Sequence, residues 1–273
     1  MRQTLFDTTW GDFQRRLLTI AIGAPILIGA MVFGAPYFDV VMLVVGGLVL
    51  VEFERMVRPG HQVALPLMFG VAALFVFTIA YAPSYFGWGL TGIALLTALA
   101  LLAVGRSQDV RCDSVLYPLL GSVYIVVPLA LIIALRGTNE GRLWISLLAW
   151  VTWFTDSWAL IGGRFIGRTR LAPTISPGKT VEGALVGVSF GVVAGMIITL
   201  IVGKGLFVGV LLSLSIALAT VIGDLFESFL KRHFQVKDSS GLLPGHGGFL
   251  DRLDSFLVST PIYCLILVAF SLV

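Results

Sequence analysis

Charge is scarce in this chain. Only 12% of its 273 residues are Asp, Glu, Lys or Arg, while 58% are hydrophobic. An ordinary soluble domain carries about twice that charged share. A water-soluble core has no use for such an apolar excess, whereas a lipid environment accepts it. The formal net charge of +3 is too small for bulk nucleic-acid binding, so no nucleic-acid partner is expected. Cysteine is nearly absent. Cys112 and Cys264 stand alone, with no CxxC and no histidine at ligand spacing, which excludes a disulfide framework and a zinc centre. A linker rich in Pro, Gly and Ser, a low-complexity run and an internal repeat are also missing. So is strand-like alternation, which excludes a β-barrel.

What is present is a series of apolar segments rich in Leu, Val, Ile, Ala and Gly. Nine are legible, at about 17–34, 37–51, 64–82, 86–104, 115–135, 143–162, 181–203, 205–224 and 255–273. The expected fold is therefore all-α, a polytopic integral membrane protein of about nine transmembrane helices. The second segment is short and turns tightly at Pro36, so it reads either as a crossing or as a re-entrant hairpin. The many glycines suit close helix packing. Arg15 and Arg16 precede a run long enough to span, with no small-x-small cleavage pattern, so a signal peptide is not expected. Residues 4–14 set Leu5, Phe6, Trp10 and Phe13 among polar residues, as in an interfacial helix or a frayed terminus.

Lys and Arg sort the loops into two sets. The N-terminus with 52–63, 105–114, 163–180 and 225–254 holds 15 of the 18 basic residues, and the remaining connections hold 3. That bias predicts a cytoplasmic N-terminus, and with it cytoplasmic loops 163–180 and 225–254. Residues 1–140 read as a transmembrane scaffold. Residues 141–273 read as the catalytic region of one integral membrane unit.

The longest polar stretch, Ser228 to Asp254, lies between two apolar segments. Asp224 closes the segment before it, where a carboxylate in the bilayer costs about 2.5–3.5 kcal/mol on insertion scales. On a continuing helix Asp224, Ser228 and Lys231 share one face, with Glu227 beside them. Asp251 and Asp254 are spaced i, i+3 at the start of the next segment. Capping of that helix accounts for them singly. Together with Asp224 they form a set of three carboxylates for one hard cation, and all-oxygen ligands that leave room for phosphate suit Mg²⁺. A second cation at the same phosphate would fit in-line displacement. Between the acids, Gly247 and Gly248 follow His246 in a turn able to bring backbone N–H groups to an anion, and His246 can donate to a phosphate oxygen. Lys237 and Asp238 add a cation and an acid. An ordinary turn and a structural histidine are the competing readings.

A second cluster begins with the intramembrane Asp156 and closes on Ser176-Pro-Gly-Lys179-Thr180. Gly-Lys-Thr resembles the tail of a Walker A loop, but position 173 is Pro rather than the earlier glycine, and no strand is expected ahead of it. A lysine and two hydroxyls ahead of a helix still suit phosphate capture.

These residues together resemble the signature of the phosphatidate cytidylyltransferases (CDP-diacylglycerol synthases). Ser228, Lys231, Arg232, Lys237, Asp238, Pro244, His246, Gly247, Gly248, Asp251, Arg252 and Asp254 stand where that pattern expects them. Leu171-Ala172-Pro173 and Ser176 to Thr180 also look like the family. The resemblance is specific over about 150–260. It implies that CTP and phosphatidic acid give CDP-diacylglycerol and pyrophosphate with Mg²⁺, in a homodimer in the bacterial inner membrane. It implies catalytic roles for Asp224, Asp251, Asp254, Lys231 and His246, the three aspartates as metal ligands. Substrate would be held by Asp156, Ser176, Lys179, Thr180, Ser228, Arg232, Lys237, Asp238, Gly247, Gly248 and Arg252.

Two other readings compete. A CTP-dependent polyprenol or lipid kinase would transfer the γ-phosphate and release CDP. An ion-coupled transporter would use Asp156 and Asp224 as coupling sites, but such proteins pair two halves, and no repeat is visible. The Asp-Gly-x-x-Ala-Arg motif of CDP-alcohol phosphatidyltransferases is absent.

Overall fold

The computed structural model of the chain describes residues 10–57, 65–81, 113–243 and 247–273. The expected segment at 86–104, Cys112, Pro244 and His246 lie outside the described residues. Eight α-helices are described: α1 (Trp10–Phe33), α2 (Tyr37–Val57), α3 (Leu65–Val76, ending in a π-turn at Phe77–Tyr81), α4 (Asp113–Arg136), α5 (Gly141–Ile166), α6 (Val181–Ile201), α7 (Leu206–His233) and α8 (Leu250–Ala269). A two-stranded hairpin, β1 (Arg170–Ala172) and β2 (Ser176–Thr180), stands between α5 and α6. Four of the described helices, the Leu119–Arg136 part of α4 with α6, α7 and α8, are long and apolar enough to cross a membrane. The chain is an all-helical membrane protein.

Four helices extend well past the apolar segments that announced them. α2 is one continuous helix to Val57, not a hairpin that turns back after 51. Val49, Leu50, Phe53 and Met56 keep a single face on the core through its last turns. α1 already begins at Trp10, so residues 10–14 are its first turns and not a separate interfacial helix. α7 runs on to His233 and α8 starts at Leu250. Much of the stretch expected as the loop 225–254 is therefore helix. It persists because Glu227 and Lys231 pair at i, i+4 on its inner side while Phe226 and Phe229 face outward.

The closest packing joins α5 to α6. Gly183, Gly187, Gly191 and Gly195 recur every fourth residue on α6 and are buried against α5. A Cβ at Gly183 would lie 2.6 Å from the Ala159 carbonyl oxygen, so these backbones approach as only small residues allow. Two apolar cores follow. One joins α2, α3 and α4 to α8 through Leu50, Phe53, Met68, Ile125 and Leu250. The other joins α5 to α7 and α8 through Trp144, Leu147, Ile216 and Tyr263. Tyr263, fully buried, donates its hydroxyl to the Trp144 carbonyl at 3.1 Å. The N-terminal helices are thus packed into the same body as the C-terminal region.

The loops gather at two ends. Arg136 Nε donates to the Met31 carbonyl at 3.0 Å, and Lys204 meets Glu140 at 2.6 Å. These contacts tie the connections after α1, α4 and α6 together. The last turn of α2, the β-hairpin and the α7–α8 connection meet at the other end, as the hydrogen bonds described next require. The division of connections that the Lys and Arg count suggested is therefore the spatial division for these loops.

Candidate active site

The hairpin fixes Lys179. β1 and β2 pair antiparallel, with Arg170 opposite Thr180 and Ala172 opposite Ser176. Pro173 lies in the turn, where its fixed φ is favourable. Gly178-Lys179-Thr180 sits on β2, and the short strand β1 stands ahead of it where none was expected, because the turn at Pro173 folds the segment back on residues 170–172. Thr180 is spent locally. Its buried hydroxyl caps α6 by accepting from the Gly183 amide at 3.1 Å. The Glu182 carboxylate accepts from the Arg168 and Thr169 amides at 3.0 and 3.1 Å and pins the hairpin to the helix. Lys179 is left one residue short of the cap, with its Nζ 2.6 Å from Asp224 Oδ1 on α7.

One turn along α7, Glu227 is buried and Lys231 is half-buried. Lys231 Nζ bridges Glu227 Oε2 at 2.5 Å and Asp251 Oδ1 at 3.0 Å. The sequence placed Asp224 and Lys231 on one helix face; in the structure Asp224 pairs with Lys179, and Lys231 with Glu227 and Asp251. Ser228 is half-buried on the same helix.

Asp251 is held on several sides. Besides Lys231, it accepts from the Gly248 amide at 2.8 Å and from the Ser239 amide at 3.1 Å. From the first turn of α8 it thus reaches back to the connection that precedes the helix as well as pairing with a lysine. Two glycines make this possible. Gly247 has φ +81°, and a Cβ there would stand 2.6 Å from Asp251 Oδ2. A Cβ at Gly248 would stand 2.6 Å from Glu52 Oε2.

Asp254, one turn further into α8, lies within electrostatic reach of Asp224, Lys231 and Lys179. Asp156 on α5 feels Asp254, Asp224 and Lys179 in turn, with Ser255 beside it. The three aspartates expected around one cation are thus distributed differently. Asp224, Asp254 and Asp156 lie within electrostatic reach of one another, while Asp251 binds Lys231 and two amides. Among the described residues no three Asp, Glu, His or Cys side chains come close enough to form a metal group by themselves.

The remaining expected residues lie around this cluster. Arg232, exposed on α7, reaches the Ile175 carbonyl of the hairpin at 3.4 Å. Lys237, Asp238 and Arg252 are exposed, and Ser176 is half-buried on β2. His246 falls outside the described residues.

Two residues escaped the sequence reading as members of the site. Glu52 on α2 is fully buried and accepts from the Ser239 and Ser240 hydroxyls and the Phe249 and Leu250 amides. Ser240 supplies the shortest of these, at 2.6 Å. The Tyr124 hydroxyl on α4 is buried without a hydrogen-bond partner among the described residues and lies within electrostatic reach of Asp254 and Glu227. An acid about three-quarters of the way along an apolar helix, or a tyrosine within one, was the available signal.

Fold and site together define a polytopic helical membrane protein with a cluster of acids and lysines at one end of its bundle. A model of the cytidylyltransferase family matches residues 14–270, and the chain belongs to that family of nucleotidyl-transferring enzymes. It is 34% identical over 268 residues to the phosphatidate cytidylyltransferase of Bacillus subtilis, covering 95% of this chain and 99% of the relative. It is 36% identical over 223 residues to that of Helicobacter pylori, covering 78% of this chain and 77% of the relative. It is 31% identical over 223 residues to that of Rickettsia typhi, covering 78% and 95%.

Proposed function

We propose that this chain transfers the cytidylyl group of CTP to phosphatidic acid, giving CDP-diacylglycerol and pyrophosphate. The observation that carries the reading is the charge balance at one end of the bundle. Asp156, Asp224, Glu227, Asp251 and Asp254 gather there, and the lysines in contact with them are Lys179 and Lys231. Such an excess of carboxylates at a bilayer favours a multivalent cation, and hard oxygen donors suit Mg²⁺. Asp224 and Asp254 are the residues that would hold it, with Asp156 close by. Bound there, Mg²⁺ would supply charge neutralisation at the substrate phosphates.

The chain's own residues then act by position and charge. A phosphate oxygen of phosphatidic acid forms a bond to the α-phosphorus of CTP. The bond from that phosphorus to the β-phosphate bridging oxygen breaks, and pyrophosphate carries the electron pair away. No serine or cysteine nucleophile is needed. Lys179, at the start of α6, offers an ammonium beside the helix N-terminus, where anions are favoured. It exchanges Asp224 for a phosphate oxygen when substrate enters. Lys231 is held by Glu227 and Asp251, so its charge is oriented before substrate arrives. Arg232 and the exposed Lys237 add positive charge at the rim. The acyl chains stay in lipid against the apolar helices. The Lys and Arg bias supports placing this end at the cytoplasmic face of the inner membrane, where CTP is available.

The test uses purified protein in micelles with phosphatidic acid and Mg²⁺, and CTP labelled separately at the α- and γ-phosphates. α-Label in lipid and γ-label in pyrophosphate are expected. γ-Label in lipid would establish a kinase instead, and movement of neither label would overturn the catalytic reading.

A further inference from the structure

We propose that Glu52, on the N-terminal helix α2, is a positioning residue for the reaction, acting through the connection between α7 and α8. This rests on the cytidylyl-transfer reading above. Glu52 touches neither lysine of the cluster. Its whole hydrogen-bonding capacity goes to residues that flank Asp251. Oε1 accepts from Ser240 Oγ at 2.6 Å and from the Phe249 amide at 3.0 Å. Oε2 accepts from the Leu250 amide at 2.9 Å and from Ser239 Oγ at 3.3 Å.

Both sides of the connection are therefore tied to one fully buried carboxylate. Phe249 and Leu250 open α8, where unsatisfied amides and the helix dipole favour a negative charge. Ser239 and Gly248 are also the residues whose amides hold Asp251. Glu52 fixes the serine and the helix start, these fix Asp251, and Asp251 orients Lys231 at 3.0 Å. Gly248 completes the fit, since any Cβ there would press on Glu52 Oε2 at 2.6 Å. The arrangement gives a helix otherwise read as scaffold a defined part in the site. Val49, Leu50 and Phe53 around Glu52 belong to the core shared with Leu250 and Leu257, so the carboxylate is anchored on rigid helix.

Glu52→Gln is a sharp probe because each oxygen accepts from a backbone N–H. Whichever way the amide is turned, its NH₂ faces a donor, and that contact is lost. The full-length variant is compared with wild type in micelles by two readouts. Hydrogen exchange at the Phe249 and Leu250 amides is expected to accelerate at least tenfold while α4 and the centre of α7 keep their protection. In the double-label assay, kcat is expected to fall roughly ten- to hundredfold, as for a small misplacement of catalytic groups. KM for CTP and for phosphatidic acid should stay within about threefold, because the loss is of transition-state positioning.

A merely structural role would reduce the yield of folded protein and leave kcat of the folded fraction unchanged; that result overturns the proposal. So does unchanged exchange at the two amides. If Glu52→Gln does not fold, Ser240→Ala removes the 2.6 Å contact to Glu52, together with the bond that Ser240 Oγ accepts from the Leu242 amide at 3.1 Å. It is expected to lower kcat several-fold with the same exchange signature, and wild-type kcat with wild-type exchange would overturn the proposal equally. A wild type that moves no α-label overturns the functional reading instead, while the exchange data still decide whether Glu52 holds the connection.

Discussion

Lys179→Ala separates a substrate-binding charge from a stabilising one. In the structure Lys179 pairs with Asp224 at 2.6 Å, and the two side chains are 24% and 36% exposed. An ion pair this open is screened, and its contribution to stability is about 1 kcal/mol or less. For a chain of this size that is a shift of roughly 2–4 °C in Tm. The kinetic effect should be much larger. If the ammonium leaves Asp224 for a triphosphate oxygen, the variant loses a charge-assisted hydrogen bond, about 1.5–3 kcal/mol. That corresponds to a rise of roughly ten- to a hundredfold in the KM for CTP. The KM for phosphatidic acid should change by no more than about threefold. Initial rates over a CTP series at saturating lipid, beside a thermal melt in the same detergent, measure both quantities. A CTP KM within twofold of wild type would refute the assignment of Lys179 to the nucleotide. A melt lowered by 10 °C with unchanged kinetics would show the pair to be structural.

Two further outcomes follow from the same geometry. Asp254→Asn should abolish turnover while the melt stays near wild type, since Asp254 makes no ion pair among the described residues and lies within electrostatic reach of Asp224 and Asp156; substantial activity would remove it from the cation site. Gly187→Val should lower stability by about 1–3 kcal/mol through overpacking, because even its Cβ would stand 2.7 Å from the Ala159 Cβ. A melt equal to wild type would mean that α5 and α6 do not approach as closely as described.

How much of this was legible in the sequence depended on whether the signal was local. Apolar runs announced the helices, because a span is a property of consecutive residues. The ends of α7 and α8 were not announced. The apolar runs stop at about 224 and resume at about 255, and it is the mutual pairing of Glu227, Lys231 and Asp251 that makes helix compatible with charge beyond them. Motif spacing gathered Asp224, Lys231, Asp251 and Asp254 into one site, since all lie within two consecutive helices and their connection. It did not say that Asp251 would be consumed by Lys231 and two amides while Asp254 turned to Asp224. That division depends on side-chain direction at i, i+3, which caps and glycines decide. Glu52 was the least legible of all, for a physical reason. It lies 187 residues before Ser239, its nearest partner in sequence. On its own helix it resembles an ordinary acid at the end of a span. A carboxylate there finds water by ending the helix, or finds donors by meeting another segment. Phe53 and Met56, packed in the core, carry the helix past Glu52 to Val57 and rule out the first course, and the amides at the start of α8 supply the second.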